Sequence, residues 1–184
     1  MQNRPSAIAL FIILASAAYG QDAWTVDHAS SQLTYSVEIA DQTAQGAFGS
    51  WVADIFFDPE RPETGQVRVE IDMPTVSIAD PRATAVANEA WLSVDDHPLA
   101  VFVADQFDLA TNGTLVVVGT LTLKNIDAPM TLSGTLIVQG DTAQADLSGV
   151  IPRLTYDIGA GQDVVSTNVT VNATLTVHRS PEEN

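Results

Sequence analysis

Val67-Arg68-Val69-Glu70-Ile71-Asp72-Met73 sets an apolar side chain at every second position and a charged one between. In an extended strand successive side chains point to opposite faces, so this stretch has one dry face and one wet face. The same period returns along the chain. Leu33, Tyr35, Val37 and Ile39 alternate with Thr34, Ser36 and Glu38, and Trp51, Ala53, Ile55 and Phe57 form one face with Asp54 and Asp58 on the other. Near the end, Val169, Val171, Ala173, Leu175 and Val177 alternate with Thr170, Asn172, Thr174 and Thr176. Strands of parallel sheets are covered on both faces and read as apolar throughout; one-sided strands therefore predict an antiparallel sheet.

Turn residues separate these runs. Asp58-Pro59 ends one strand, and Asn112-Gly113 lies between Val101–Leu109 and Leu115–Leu123. Asn-Gly predicts a two-residue hairpin, in which both central positions take positive φ. Lys124 to Pro129 and Gln139-Gly140-Asp141 are further breaks. Pro129 lacks a donor and is expected to open its strand or lie at an edge. One short helix is predicted: Asp80 suits an N-cap, Pro81 the first turn, and Val86, Ala87, Ala90 and Trp91 form a stripe at helical spacing up to Leu92. The rest reads as about eight strands, enough to close a barrel around one small ligand. Alternation alone fits a β-sandwich equally well.

Arg4, the apolar run Ala7–Ala18 and the small residues of Ala18-Tyr19-Gly20 have the layout of a cleavable signal peptide over residues 1–20, with Gln21 as the mature start. The expectation is a periplasmic or secreted protein. A membrane span needs about 20 apolar residues, and no later segment is apolar enough, so no integral span is expected. Residues 21–180 then form one barrel domain. The formal net charge of −16 repels phosphate backbones and makes nucleic acid a poor partner. With 46% hydrophobic residues in a regular pattern, the charge reads as the shell of a folded domain. Cysteine is absent, which excludes thiol catalysis, Cys-based zinc sites and thiol-linked haem.

Specific stretches resemble the YceI-like family. Gly46 to Pro59 (GAFGSWVADIFFDP) is similar to its "G-x-F … I-x-F-D-P" core, and Trp24-Thr25-Val26-Asp27 with Ser30 resembles its opening. Leu92 to Phe102, Val118 to Leu123 followed by Pro129, and Arg153 to Gly159 resemble further family stretches in the same order. Asn125 stands where the family has glycine, and Arg153-Leu-Thr-Tyr-Asp-Ile-Gly159 rearranges the family's "R-x-D-[FY]-G". The resemblance implies an all-β, lipocalin-like antiparallel barrel whose tubular cavity takes an isoprenoid-type lipid, a polyprenyl chain or isoprenoid quinone. It also names a membrane b-type cytochrome as a candidate partner; a homodimer is left open.

A carrier of such a lipid needs an oily wall and no catalytic groups, since each buried CH₂ contributes about 0.8 kcal/mol. The candidate wall is Tyr35, Trp51, Ile55, Phe57, Phe102, Phe107, Leu121 and Tyr156; the plain alternative is that these residues fill a solid core. Arg153 is the candidate headgroup contact, or pairs with Asp157 as a structural ion pair. An enzyme reading has little to stand on. His28, His97 and His178 lie in no hydrolase or zinc-protease motif, and Asp95-Asp96-His97-Pro98 reads as a solvated acidic turn. No phosphate-cradling glycine loop occurs, so no cofactor is implied. The sequons at Asn112, Asn168 and Asn172 read as strand and turn residues, and Glu182-Glu183 as a solvated tail.

Overall fold

The computed structural model describes residues 22–79 and 86–181. The expected signal peptide, the Asp80-Pro81 helix start and the Glu182-Glu183 tail lie outside these residues. Eleven strands form one antiparallel sheet: β1 (Ala23–Val26), β2 (Gln32–Ile39), β3 (Gln42–Phe48), β4 (Trp51–Phe56), β5 (Gln66–Asp72), β6 (Val76–Ile78), β7 (Leu99–Leu109), β8 (Thr114–Leu123), β9 (Ile126–Gln139), β10 (Thr142–Pro152) and β11 (Val165–Arg179). Because β1 pairs with both β4 and β11, the sheet has closed on itself. That closure excludes the sandwich.

The wall has eight positions, because three pairs of short strands are single strands interrupted by a kink. β1 runs into β2, β3 into β4 and β5 into β6, and the pieces keep the same neighbours: β1 lies on β4, β2 on β3, and β3 on β6. Side chains patch the kinks. The Thr75 hydroxyl oxygen accepts from the amides of Gly49 (3.1 Å) and Ser50 (3.0 Å), while its O–H donates to the Asp72 carbonyl (2.6 Å). At the β1–β2 kink, Ser31 accepts from the Thr176 amide at 2.9 Å. Backbone groups released by each break thus keep partners.

Tight turns set the register. Ala40-Asp41 and Lys124-Asn125 join their strands with positive φ at both positions, the hairpin geometry that matches strand twist. Asn125 takes φ 60° in place of glycine, as asparagine can. Asn112-Gly113 differs from expectation. Gly113 alone has positive φ, and the Ala110 amide donates to the Thr114 carbonyl, so the connection is longer than a two-residue hairpin. Pro129 sits inside β9, opposite Thr120 of β8, on a stretch where β10 has not begun to pair; that ladder starts at Ser133. Its missing donor costs nothing there. The described part of the predicted helix is a correction: Val86–Leu92 forms successive turns. Bonds from Leu92 N to Val86 O and from Ser93 N to Asn88 O replace a regular i to i−4 ladder.

One end of the barrel is closed. Trp24, Phe57 and Phe107 meet there, with the Trp24 indole N–H donating to the Phe57 carbonyl at 2.8 Å and the two phenyl rings 5.5 Å apart. Both described ends of the chain lie here too, since Trp24 pairs with Arg179 and the Ser180 amide donates to the Ala23 carbonyl. Arg179 lies over the Trp24 ring at 4.9 Å and pairs with Asp22. The other end carries the β2–β3 and β8–β9 turns, the segment 86–98 and the loop 153–164.

Candidate functional site: an apolar tunnel

The barrel interior is hollow. A cavity of about 530 Å³, with an almost wholly apolar wall, runs from the Trp24–Phe57–Phe107 floor to the loops at the opposite end. An eleven-residue strand such as β10, rising about 3.3 Å per residue at a tilt near 40°, gives a barrel about 28 Å tall. That height is close to the hydrocarbon thickness of a bilayer, about 30 Å.

The hollowness comes from the sequence. Eight-stranded barrels can be filled by their own inward side chains. Here several inward positions hold alanine or glycine: Ala143, Ala145 and Gly149 on β10, Ala100 on β7, Ala173 on β11 and Gly46 on β3. Large inward residues such as Val69, Ile71, Leu132 and Leu175 are consequently only half-buried, because they face open space instead of each other. Gly46 has a particular reason to lack a side chain: a Cβ there would stand 2.2 Å from the Tyr35 ring, which lies across it. The Tyr35 hydroxyl donates to the Ser77 carbonyl at 2.9 Å, and burial pushes its pKa up to about 12.

Eight of the nine residues singled out in the sequence line this cavity. Tyr35, Trp51 and Ile55 do so on the kinked strands, Phe57 and Phe107 at the floor, Phe102 and Leu121 on β7 and β8, and Arg153 at the far end. Tyr156 does not. It is 1% exposed, packed behind the wall, with its hydroxyl 3.4 Å from the Leu121 carbonyl. Met73, the last residue of the Val67–Met73 alternation, lines the cavity as well, and alternation missed Trp91 and Ile158, which lie outside the regular strands.

Arg153 is 3% exposed and pairs differently from expectation. Its five N–H groups all donate to main-chain carbonyls: Nε to Ser166 (2.8 Å), one terminal nitrogen to Ile158 and Gly159 (2.6 Å each), the other to Gln162 (3.0 Å) and Val165 (2.9 Å). A guanidinium has five donors, so none remains for Asp157 or for a ligand. Arg153 is the hub that folds the 158–166 loop. The loop is also tied to the segment before β7: the Gly159 amide donates to the Ala90 carbonyl, and the Trp91 ring lies where a Gly159 Cβ would stand, 2.6 Å away. Gly159 has φ +59°, so a side chain is disfavoured twice over.

The histidines do not join this site. Asp95 and Asp96 are exposed in a turn closed by amides of Asp96 and His97 donating to the Ser93 carbonyl. Among the described residues no three His, Asp or Glu side chains converge as a metal site would require, and no helix is long and apolar enough to cross a membrane.

The family model for the YceI-like domain matches residues 24–177. No curated protein matches the sequence. Among solved structures, Burkholderia cenocepacia BcnA is 26% identical with a TM-score of 0.76, the match covering 82% of this chain and 98% of that one. The Campylobacter jejuni YceI protein is 18% identical at TM-score 0.65, covering 74% and 85%. A polyisoprenoid binding domain from Saccharophagus degradans, implicated in plant cell wall breakdown, is 15% identical at TM-score 0.63, covering 86% and 99%. The latter two share the fold. A closed antiparallel barrel, a hollow apolar bore and a family match over nearly the whole barrel lead to one conclusion: the chain belongs to the YceI-like domain family.

Proposed function

We propose that the protein is an exported carrier that holds the chain of an isoprenoid-type lipid, a polyprenyl compound or isoprenoid quinone, in the barrel and sequesters or transports it. The observation that carries this reading is the apolar tunnel that extends along the barrel. A chain burying about ten methylene equivalents gains about 8 kcal/mol, the scale of a micromolar complex before ordering costs are subtracted. The Trp24 indole, the Tyr35 hydroxyl and the Arg153 guanidinium of the wall each donate to main-chain carbonyls, and its remaining polar side chains, Thr34, Gln162 and Asn172, are neutral. This supports a binding protein over an enzyme. The name of the Saccharophagus degradans domain adds support for a polyisoprenoid occupant. Export rests on the leader-like residues 1–20, and delivery to a membrane b-type cytochrome remains part of the proposal.

Native mass spectrometry of the protein purified from its own cell envelope tests the reading. The expected result is a co-purifying prenyl lipid at near one per chain. Repeated recovery of empty protein that also fails to take up a fluorescent prenyl analogue would overturn it.

A further inference from the structure

The closed end of the tunnel is built as a stop. Phe57 and Phe107 line the cavity there, and behind their rings lies Gly65, which is buried. A Cβ on Gly65 would stand 2.8 Å from Cδ2 of Phe107 and 3.0 Å from Cδ2 of Phe57, so both rings already rest against this residue and have no room to recede. The segment that carries Gly65 is tied to itself. The amides of Arg61, Thr64 and Gly65 donate to the carbonyls of Asp58, Arg61 and Pro62, each at 3.0 Å. The Asp58 carboxylate accepts from the Glu60 amide at 2.9 Å and from Nε of Arg61 at 2.8 Å. Beside the two phenyl rings, Trp24 is held by its bond to the Phe57 carbonyl and by Arg179 over its ring. A chain that reaches this end meets three rings packed against fixed backbone.

The space above the stop has a definite capacity. An apolar cavity of about 150 Å³ holds one benzene, a molecule of six carbons. On that scale the bore of about 530 Å³ takes about 21 carbons, the content of about four isoprene units. We propose that the Phe57–Phe107 floor, backed by Gly65, is a length gauge that selects a prenyl chain of about four isoprene units over longer ones. This rests on the carrier reading. The surplus of a longer chain stays outside the bore, and each five-carbon unit moved from a bilayer into water costs about tenfold or more in binding.

The test offers the protein phosphatidylcholine vesicles that carry equal amounts of prenyl alcohols in a graded series of chain lengths, from about two to about eight isoprene units. Native mass spectrometry then reads which alcohols are bound. The alcohol of about four units should dominate, with those of about six or more at least tenfold scarcer. Two variants move the floor in opposite directions. Phe107→Ala removes one ring and deepens the bore by about one isoprene unit, so the cut-off should move to longer chains. Ala143 lines the cavity on the first turn of β10 above the same end, so Ala143→Phe should move the cut-off to shorter chains by about as much. If truncation of Phe107 prevents folding, seen in the far-UV spectrum, Ala143→Phe and the unmodified protein still decide. Longer alcohols bound as abundantly as the favoured one would overturn the gauge, as would a cut-off that stays in place in every folded variant. Recovery of the unmodified protein with no alcohol of any length is a separate result: it defeats the carrier reading, whereas binding without a cut-off defeats the gauge alone.

Discussion

Replacing Arg153 by methionine keeps an apolar stem of similar length while deleting every donor. Three of its five bonds, to Ile158, Gly159 and Val165, are buried; those to Ser166 and Gln162 lie nearer solvent, where water can replace the guanidinium. A buried acceptor left without a partner costs about 1–3 kcal/mol, so three of them place the gross loss near 3–9 kcal/mol. Relief from burying a charge offsets several kcal/mol of this. A net loss of about 3 kcal/mol follows, a large share of a typical stability of about 5–15 kcal/mol. Urea unfolding should show a lowered midpoint, and hydrogen exchange should speed up first across residues 158–166. Arg153→Lys, with three donors at one point, should recover only part of the loss. A loss below about 1 kcal/mol would refute the hub assignment, as would unchanged stability with selective loss of phosphate-bearing lipids.

Three further outcomes are expected. Ala145→Phe, at a wall position paired with Leu136 and Leu175, should displace about four ligand methylenes and weaken prenyl binding by about 3 kcal/mol, or ~100-fold, with the far-UV spectrum intact; unaltered affinity in a probe titration would place the ligand elsewhere. Thr75→Val removes the hydroxyl that bridges Gly49, Ser50 and Asp72, and should cost about 1–2 kcal/mol by thermal unfolding, whereas Thr75→Ser should cost less than half of that. Burial raises Tyr35 from 10.0 to about 12, and burial followed by the Asp127 charge raises Tyr156. The folded state thus holds these protons more tightly than the unfolded one: the contribution is complete below pH 10 and disappears as pH climbs from 10 to about 12. Urea midpoints should fall across that window, less steeply in Tyr35→Phe; a flat profile would contradict the burial of the phenol.

Strands were readable because a half-buried strand writes a period of two into the sequence, as Val67 to Met73 and Val169 to Val177 do. Phe107 shows where that reading needs help. A bulge between Ala104 and Gln106 reverses the phase of β7, so that Phe102 and Phe107 face the same interior although they are five positions apart, an odd offset. The stripe Val86 to Trp91 has helical spacing yet forms turns, since contacts with a distant loop, Gly159 to Ala90 and Trp91 to Gly159, override local preference. Arg153 looked available because its acceptors are main-chain carbonyls, which every residue carries and no pattern reveals. The cavity did leave a trace, the alanines and glycine at inward positions of β10, but small residues disclose a void only once the neighbouring strands are known.

The pairing of Trp24 with Arg179 fixes both described ends of the chain to the sealed base, with the β2–β3 turn and the 153–164 loop at the far pole. Anything fastened next to either of these described ends, whether an affinity handle or a solid support, grips the molecule like the stem of a cup, and the loops at the far pole then face away from the attachment.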